Sequence, residues 1–372
     1  MTSHWLRRSV AVAASGLLVA IAAAAPAHAL PVRKSHATLV VDAIDQFIVP
    51  HVETFKTATA KLANAMSAVC SAGGDAHSRQ AAMAAFADTT RAWGSLDFVR
   101  FGPVTRAHRL ERILFWPDPR ATAQRQLGAL VASRKPDVIA PGALASQSVA
   151  VQGLTALEIL LYDDKVPLGA GSDETAVYRC GLARAIADNL ATIAREMADE
   201  WTAADGFRLK MVAAGSDNPL YKDASETARD VVKALATGLE LCRDRFLMPE
   251  LTALAADPPK RARLPFDRAE LMGAYLSASL TGLHELFDAT GLAAYVPADK
   301  PWMAEFLPRA WKSLLDDAAT LDALRTKERG SEAHLHALRK MRFDIGGIRS
   351  IVVRELATNA EIDMGFNELD GD

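Results

Sequence analysis

Cysteine and the common catalytic motifs are scarce in this sequence. The 372 residues contain three cysteines, and no two of them form a C-x-x-C pair, so a thiol-bound zinc site or a dithiol redox centre has little support. We find no H-E-x-x-H zinc motif, no phosphate-binding glycine loop and no G-x-S-x-G nucleophile elbow. The sequence therefore contains no recognisable catalytic centre.

Aromatic residues and strongly unbalanced charge are also lacking. Only 6% of the residues are aromatic although 50% are hydrophobic, so we expect a core built mainly from Ala, Leu, Ile and Val. The formal net charge is -3, which does not favour binding to nucleic acid or to an anionic membrane. No stretch shows the strict alternation of a half-buried strand.

Apolar residues recur at helical spacing along most of the chain. One stripe follows a single long predicted helix and consists of Leu182, Ile186, Leu190, Ile193, Met197 and Trp201. A similar stripe lies near the C-terminus. These patterns predict an all-α fold of long helices, and we expect Pro50 to kink or interrupt the first of them.

The length of the chain predicts two domains, because a globular domain typically has about 150 residues. The most turn-rich stretch near mid-chain runs from Asp205 to Pro219. We therefore predict two packed helical-bundle domains, over residues 37–205 and 206–372.

The first 29 residues have the features of a secretory signal peptide. Two arginines precede an apolar run from Val10 to Ala25, and Ala27-His28-Ala29 forms an A-x-A cleavage site. The run is shorter than the ~20 strongly apolar residues that a transmembrane anchor needs. Leu30, rather than a cysteine, follows the cleavage site, so no lipid is expected. We predict a periplasmic protein without a lipid or a transmembrane anchor after processing.

Export to an oxidising compartment would allow the cysteines to pair. We predict a disulfide between Cys70 and Cys180, because both lie at or near predicted helix ends where chain segments can approach each other. Cys242 lies in mid-helix, and we expect it to be free and buried. The alternative is that all three cysteines are inert core residues.

Five local strings carry a resemblance to a known family. They are WGSLDFVRFGP at Trp93–Pro103, RLERILFWPDPR at Arg109–Arg120, SVAVQGLTALEILLYD at Ser148–Asp163, DNPLY at Asp217–Tyr221 and GFNELDGD at Gly365–Asp372. In this order and spacing they resemble the imelysin-like family, in particular its branch of predicted periplasmic proteins. The resemblance implies two helical bundles with a functional site near their interface. It also implies a link to iron, because relatives include iron-regulated and iron-uptake proteins.

The family takes its peptidase name from a G-x-H-x-x-E signature. The corresponding string here is GLTALE, from Gly153 to Glu158, and Thr155 stands in the place of the histidine. A neutral hydroxyl is a poor substitute for an imidazole as a metal ligand. We therefore predict no tight zinc or iron site at this string. A metallopeptidase-like hydrolase is the alternative function, and this substitution disfavours it.

Glu158 is surrounded in sequence by aliphatic residues, where an unpaired carboxylate is costly to bury. We expect it to lie between the two domains and to pair with an arginine of the preceding strings, namely Arg100, Arg109 or Arg112. Such a pair would either be a structural ion pair or line a polar pocket for a small anion or a chelated ligand.

The predicted binding site has further members around Glu158. They are Trp116 and Asp118 of a proline-rich loop, Gln152 and Thr155 of the GLTALE region, and Asn367 and Asp370 of the C-terminal string. We predict a non-catalytic binding or accessory protein associated with iron uptake or homeostasis. Its partner would be a small ligand or another envelope protein, and the sequence identifies no cofactor.

Overall fold

The computed structural model of the protein describes residue 1 and residues 32–71, 75–169 and 171–365. The predicted signal peptide and two predicted site residues, Asn367 and Asp370, lie outside this part of the chain. The described residues from Val32 onward belong to one compact unit. The division into domains at residues 205 and 206 stays a prediction.

The described residues form helices and contain no β-strand, which confirms the predicted all-α fold. The α-helices are α1 (His36–Asp42), α2 (Val49–Ser71), α3 (Ala76–Gly94), α4 (Arg109–Ile113), α5 (Thr122–Ser133), α6 (Leu154–Leu161), α7 (Glu174–Thr202), α8 (Phe207–Val212), α9 (Ala224–Cys242), α10 (Met248–Leu254), α11 (Met272–Thr290), α12 (Trp302–Lys327), α13 (Glu332–Ser350) and α14 (Ala357–Asn359). Among these same residues, no helix is both long and apolar enough to cross a bilayer.

Two prolines near the starts of α2 and α10 are accommodated by π-helical turns. The turn Ala43–Ile48 joins α1 to α2, and Arg243–Leu247 joins α9 to α10. Pro50 and Pro249 each follow two residues after such a turn. Because proline lacks an N–H and its ring clashes with the carbonyl four residues before it, a locally wider helix avoids the conflict. The irregularity expected at Pro50 is therefore a π-helical turn within a continuous helical run.

The long helix α7 forms much of the core of the first half of the chain. All six residues of its predicted apolar stripe are buried. The helix packs along α2, and α2 packs against α3. The two halves of the sequence are in contact, because α1 packs against α9 and α3 packs against α11.

A disulfide fastens α2 to α7. Cys70 is bonded to Cys180, and their Cα atoms are 5.5 Å apart. Cys242 is free and buried. Both predictions for the cysteines are confirmed.

Gly153, immediately before α6, lies against the backbone of α4. A Cβ atom at this position would come within 2.3 Å of the carbonyl oxygen of Ile113 and 2.5 Å of that of Arg112. Backbone atoms cannot move aside as the end of a flexible side chain can. The close approach therefore requires glycine, and it places α6 directly beside the segment that carries Arg112.

We expect Gly153→Ala to lower the free energy of unfolding by about 1–3 kcal/mol, as overpacking of a core typically does. Gly128 of α5 is the matched control, because a Cβ there would meet nothing within 4 Å. Gly128→Ala should raise the same free energy by about 0.5–1 kcal/mol. Urea unfolding of both variants measures the two effects, and shifts of the same sign would contradict the predicted contact.

Candidate ligand-binding site

Glu158 of α6 is buried, with 7% of its surface exposed. Its Oε1 accepts a hydrogen bond of 2.9 Å from the backbone N–H of Ala269, in the turn segment that precedes α11. The carboxylate thus joins a helix of the first half of the sequence to a segment of the second half. The predicted burial is confirmed.

The predicted pairing of Glu158 with Arg100, Arg109 or Arg112 is wrong. The arginine whose charge acts on Glu158 is Arg268, from the same turn segment as Ala269. The three expected arginines bind other groups, as described below. A backbone N–H satisfies the buried carboxylate without a direct ion pair.

Burial raises the pKa of Glu158 to about 7, although the hydrogen bond from Ala269 and the charge of Arg268 act to lower it. The folded protein therefore binds this proton more tightly than the unfolded chain, whose Glu pKa is near 4.5. Stability is then lost as the pH rises from about 4.5 to about 7. The ionised carboxylate above that range costs the folded state on the order of 3 kcal/mol.

We expect Glu158→Gln to change stability little at pH 4 and to stabilise the protein at pH 8 by up to about 3 kcal/mol. A glutamine oxygen can still accept the bond from Ala269 but never ionises. Denaturant unfolding at the two pH values measures the difference. Glu111→Gln on the exposed side of α4 is the control, with an expected change within about 0.5 kcal/mol. A difference from wild type that is the same at both pH values would contradict the account.

Thr155, which stands in the place of the histidine of the family signature, is also hydrogen-bonded to the backbone. Thr155 Oγ1 donates a hydrogen bond of 3.2 Å to the carbonyl oxygen of Phe115. Thr155 Oγ1 and one carboxylate oxygen of Glu158 therefore bind main-chain groups, and this donor set, which contains no histidine, does not fit a metal site. In the described part of the chain, no group of three or more His, Cys, Asp or Glu residues is placed to hold a metal ion.

Asp118 caps a helix. Its Oδ1 accepts a hydrogen bond of 2.8 Å from the N–H of Thr122, and its Oδ2 accepts one of 2.9 Å from the N–H of Ala123, at the start of α5. Burial acts to raise the pKa of Asp118, but these backbone hydrogen bonds hold it below its usual value. Trp116 precedes a cis peptide bond to Pro117 and is half-buried against the core. Both residues thus shape the loop before α5.

Arg109 is paired with acids of α7. Its Nη2 lies 2.9 Å from Glu196 Oε2 and 2.7 Å from Glu200 Oε1, and its Nη1 donates to the carbonyl oxygen of Pro103 at 2.8 Å. Glu196 and Glu200 are one turn apart on the same face of α7, so together they attract the guanidinium more strongly than one carboxylate would. Arg100 instead donates a weak bond of 3.4 Å to the carbonyl oxygen of Asp97.

Arg112, Gln152 and Asn189 form a connected polar group. Arg112 Nε donates to Gln152 Oε1 at 2.7 Å, and Arg112 Nη2 donates to Asn189 Oδ1 at 3.1 Å. Asn189 Nδ2 donates in turn to the carbonyl oxygen of Gln152 at 3.3 Å. The structure therefore brings together two of the predicted site residues, Arg112 and Gln152, around a residue of α7 that the sequence had not singled out.

Two members of this polar group, Arg112 and Asn189, lie on the wall of a cavity of about 710 Å³ that runs along α7. One side of the cavity is α7, and the opposite side is formed by residues 139–145. The Cys70–Cys180 disulfide also lines it. The volume falls within the roughly 300–1,000 Å³ of small-molecule sites in proteins. Of the predicted site residues in the described chain, Arg112 is the one that lines this cavity.

A second polar network, which sequence reasoning missed, lies at the contact between the two halves of the chain. Asp97 Oδ2 accepts hydrogen bonds from Arg245 Nη1 and from the hydroxyl of Tyr275, and Arg245 Nη1 lies 2.8 Å from that hydroxyl. All three side chains are largely buried. Asp97 stands between Leu96 and Phe98, so its apolar surroundings in sequence were a usable signal. Its partners are 148 and 178 residues away, and no sequence pattern links them to Asp97.

The fold and the cavity define an all-α, helical-bundle protein with a polar site along one long helix. Residues 48–341 match the imelysin family, also named peptidase family M75. The match covers more than half of the chain, so the protein belongs to the imelysin family. No curated protein is detectably similar to it in sequence.

Two solved structures share the fold. An imelysin-like protein from Psychrobacter arcticum 273-4 has a TM-score of 0.71 and 19% identity, over 91% of this chain and 100% of that chain. A protein described as an iron-regulated protein A precursor, from Parabacteroides distasonis ATCC 8503, has a TM-score of 0.62 and 13% identity, over 87% of this chain and 96% of that chain. At these identities the likeness extends to the fold alone.

Proposed function

We propose that this protein is a periplasmic, non-catalytic binding or accessory protein of iron uptake or homeostasis, and that its ligand binds in the cavity along α7. The observation that carries the proposal is the cavity itself, with a positioned arginine on its wall. The iron-regulated protein among the structural neighbours supports the link to iron. The signal-peptide features of the sequence support the location.

The peptidase alternative finds no support at the GLTALE string. Metal-assisted hydrolysis needs about three protein ligands and an open position for water. Thr155 Oγ1 is hydrogen-bonded to the backbone of Phe115, and one carboxylate oxygen of Glu158 to that of Ala269. We therefore derive no catalytic step from this string.

The proposed cavity is formed by residues of the first half of the chain, between Cys70 and Glu196. This differs from the sequence-based expectation of a site between two domains. Glu158 lies where the two halves meet, but its carboxylate is bound to the backbone. The inter-domain site therefore stays a prediction, and the cavity along α7 is the stronger candidate.

The proposal can be tested by native mass spectrometry of the protein purified from its own periplasm, with elemental analysis of the same sample. We expect a mature chain that begins within a few residues of Leu30 and retains a small molecule. Ala185 lines the cavity and is half-buried, so Ala185→Phe should fill the space and abolish retention. A bare chain, or a ligand that Ala185→Phe does not displace, would contradict the proposed site. Metal without an organic ligand would contradict it as well.

A further inference from the structure

We infer that the cavity along α7 binds a small organic carboxylate, and that Arg112 is the residue that holds the carboxylate group. The inference rests on the proposed function, because it names the ligand class of the same cavity. Its basis is the way in which Arg112 is oriented, the charge that remains after the local ion pairs are counted, and the apolar character of the remaining wall.

The hydrogen bonds of Arg112 leave one end of its guanidinium group for a ligand. A guanidinium carries five N–H groups. Gln152 takes the one on Nε and Asn189 takes one on Nη2. Within the described residues, the two N–H groups of Nη1 and the second of Nη2 have no protein acceptor. A parallel pair of N–H groups matches the two oxygens of a carboxylate.

The groups that hold Arg112 are themselves fixed by the backbone. Gln152 Nε2 donates to the carbonyl oxygens of Gln147 at 2.5 Å and Ala145 at 3.4 Å, which turns Oε1 towards Arg112. Asn189 Nδ2 is bound to the Gln152 carbonyl, which leaves Oδ1 for Arg112. Arg112 is thus oriented before any ligand arrives, which lowers the entropic cost of binding.

These partners are neutral amides, so they orient the charge of Arg112 without neutralising it. The neighbouring arginines, Arg106 and Arg109, are paired with Glu196 and Glu200. Three arginines therefore meet two glutamates, and one positive charge is left over. Burial lowers the pKa of Arg112, but an arginine remains charged at neutral pH. A single carboxylate balances the remaining charge, whereas a phosphate group carrying nearly two negative charges exceeds it.

The rest of the wall favours a ligand with an apolar body. Apolar residues from both sides of the cavity line it, including Ile139, Leu144, Val177 and Ala185. Besides Arg112, three charged residues line the wall, all on α7. The charge of Arg184 offsets that of Asp188, one turn away, and Glu196 is paired with Arg109. A small carboxylic acid with a hydrocarbon portion fits both the single charge and this surface.

The test is calorimetric titration of the mature protein, freed of co-purified ligand, with hexanoate, hexanamide and inorganic phosphate. We expect hexanoate to bind at least about 10-fold more tightly than hexanamide, because a hydrogen bond between two charged groups is stronger than one to a neutral amide. Arg112→Gln should remove that preference, and Arg112→Lys should restore part of it. Arg91→Gln, on α3 and outside the cavity lining, is the matched control and should bind hexanoate as wild type does.

The outcomes separate the two proposals. Equal affinity of wild type for hexanoate and hexanamide, absence of hexanoate binding, or tighter binding of phosphate would overturn the carboxylate inference. The wild-type comparison of acid and amide is valid even if Arg112→Gln unfolds. If the co-purified ligand is displaced by Ala185→Phe but is uncharged, the cavity stands as the binding site and the carboxylate inference alone is wrong. If Ala185→Phe displaces nothing, the proposed site itself fails.

Discussion

Asp97→Ala is expected to lower the free energy of unfolding by about 3–5 kcal/mol, as breaking a buried ion pair typically does. Asp97 is 4% exposed and accepts hydrogen bonds from both Arg245 and Tyr275. Its removal leaves the guanidinium of Arg245 buried without its carboxylate. Because Asp97 belongs to the first half of the chain and its partners to the second, the loss also weakens the contact between the halves.

The matched control for this prediction is Asp88→Ala. Asp88 forms an ion pair with Arg91, but both side chains are at least half exposed. Exposed pairs contribute about 0–1 kcal/mol, so this variant should unfold nearly as wild type does. Chemical unfolding followed by circular dichroism measures both variants. Similar losses in the two would show that Asp97 has no special role in the core.

Removal of the Cys70–Cys180 disulfide is expected to lower stability by up to about 4–5 kcal/mol. The bond closes a loop with a sequence separation of 110, and the cost of closing a loop that long in the unfolded chain is large. The double variant Cys70→Ala/Cys180→Ala should therefore unfold at a lower denaturant concentration than wild type. Because both residues line the cavity, we also expect weaker retention of its ligand.

Reduction provides the control for the disulfide prediction. A reducing agent should destabilise wild type by about the same amount and leave the double variant unchanged. Cys242 is a free thiol before and after reduction, so it does not contribute to the difference. Stability of wild type that is insensitive to full reduction would contradict the prediction.

The sequence predicted those features that depend on local pattern. Helical spacing was enough to identify the buried stripe on α7, because the period of an α-helix fixes which residues share a face. The pairing of Cys70 with Cys180 also followed, since both lie near helix ends. The π-helical turn before Pro50 could not be predicted from the sequence. A proline can break, kink or widen a helix, and the sequence alone does not distinguish these outcomes.

The partners of buried charges could not be predicted in the same way. Burial of Glu158 was evident from its aliphatic neighbours, but its partner is a backbone N–H 111 residues away, and a main-chain group leaves no mark in sequence. Arg112 and Gln152 were identified as site residues from the sequence. Asn189, which accepts a hydrogen bond from Arg112, was not, because it lies between residues of the apolar stripe of α7 and belongs to no motif. Arg112 and Asn189 meet at one cavity because α4 packs against α7.

The most direct test of the account is a crystal structure of the protein purified with its ligand from the cells that produce it. We predict electron density for a small molecule in the cavity between α7 and residues 139–145, with two oxygens of one carboxylate within about 3 Å of the Arg112 guanidinium. Density for a ligand at Glu158 and the turn segment around Ala269, with the cavity along α7 filled only by water, would contradict it.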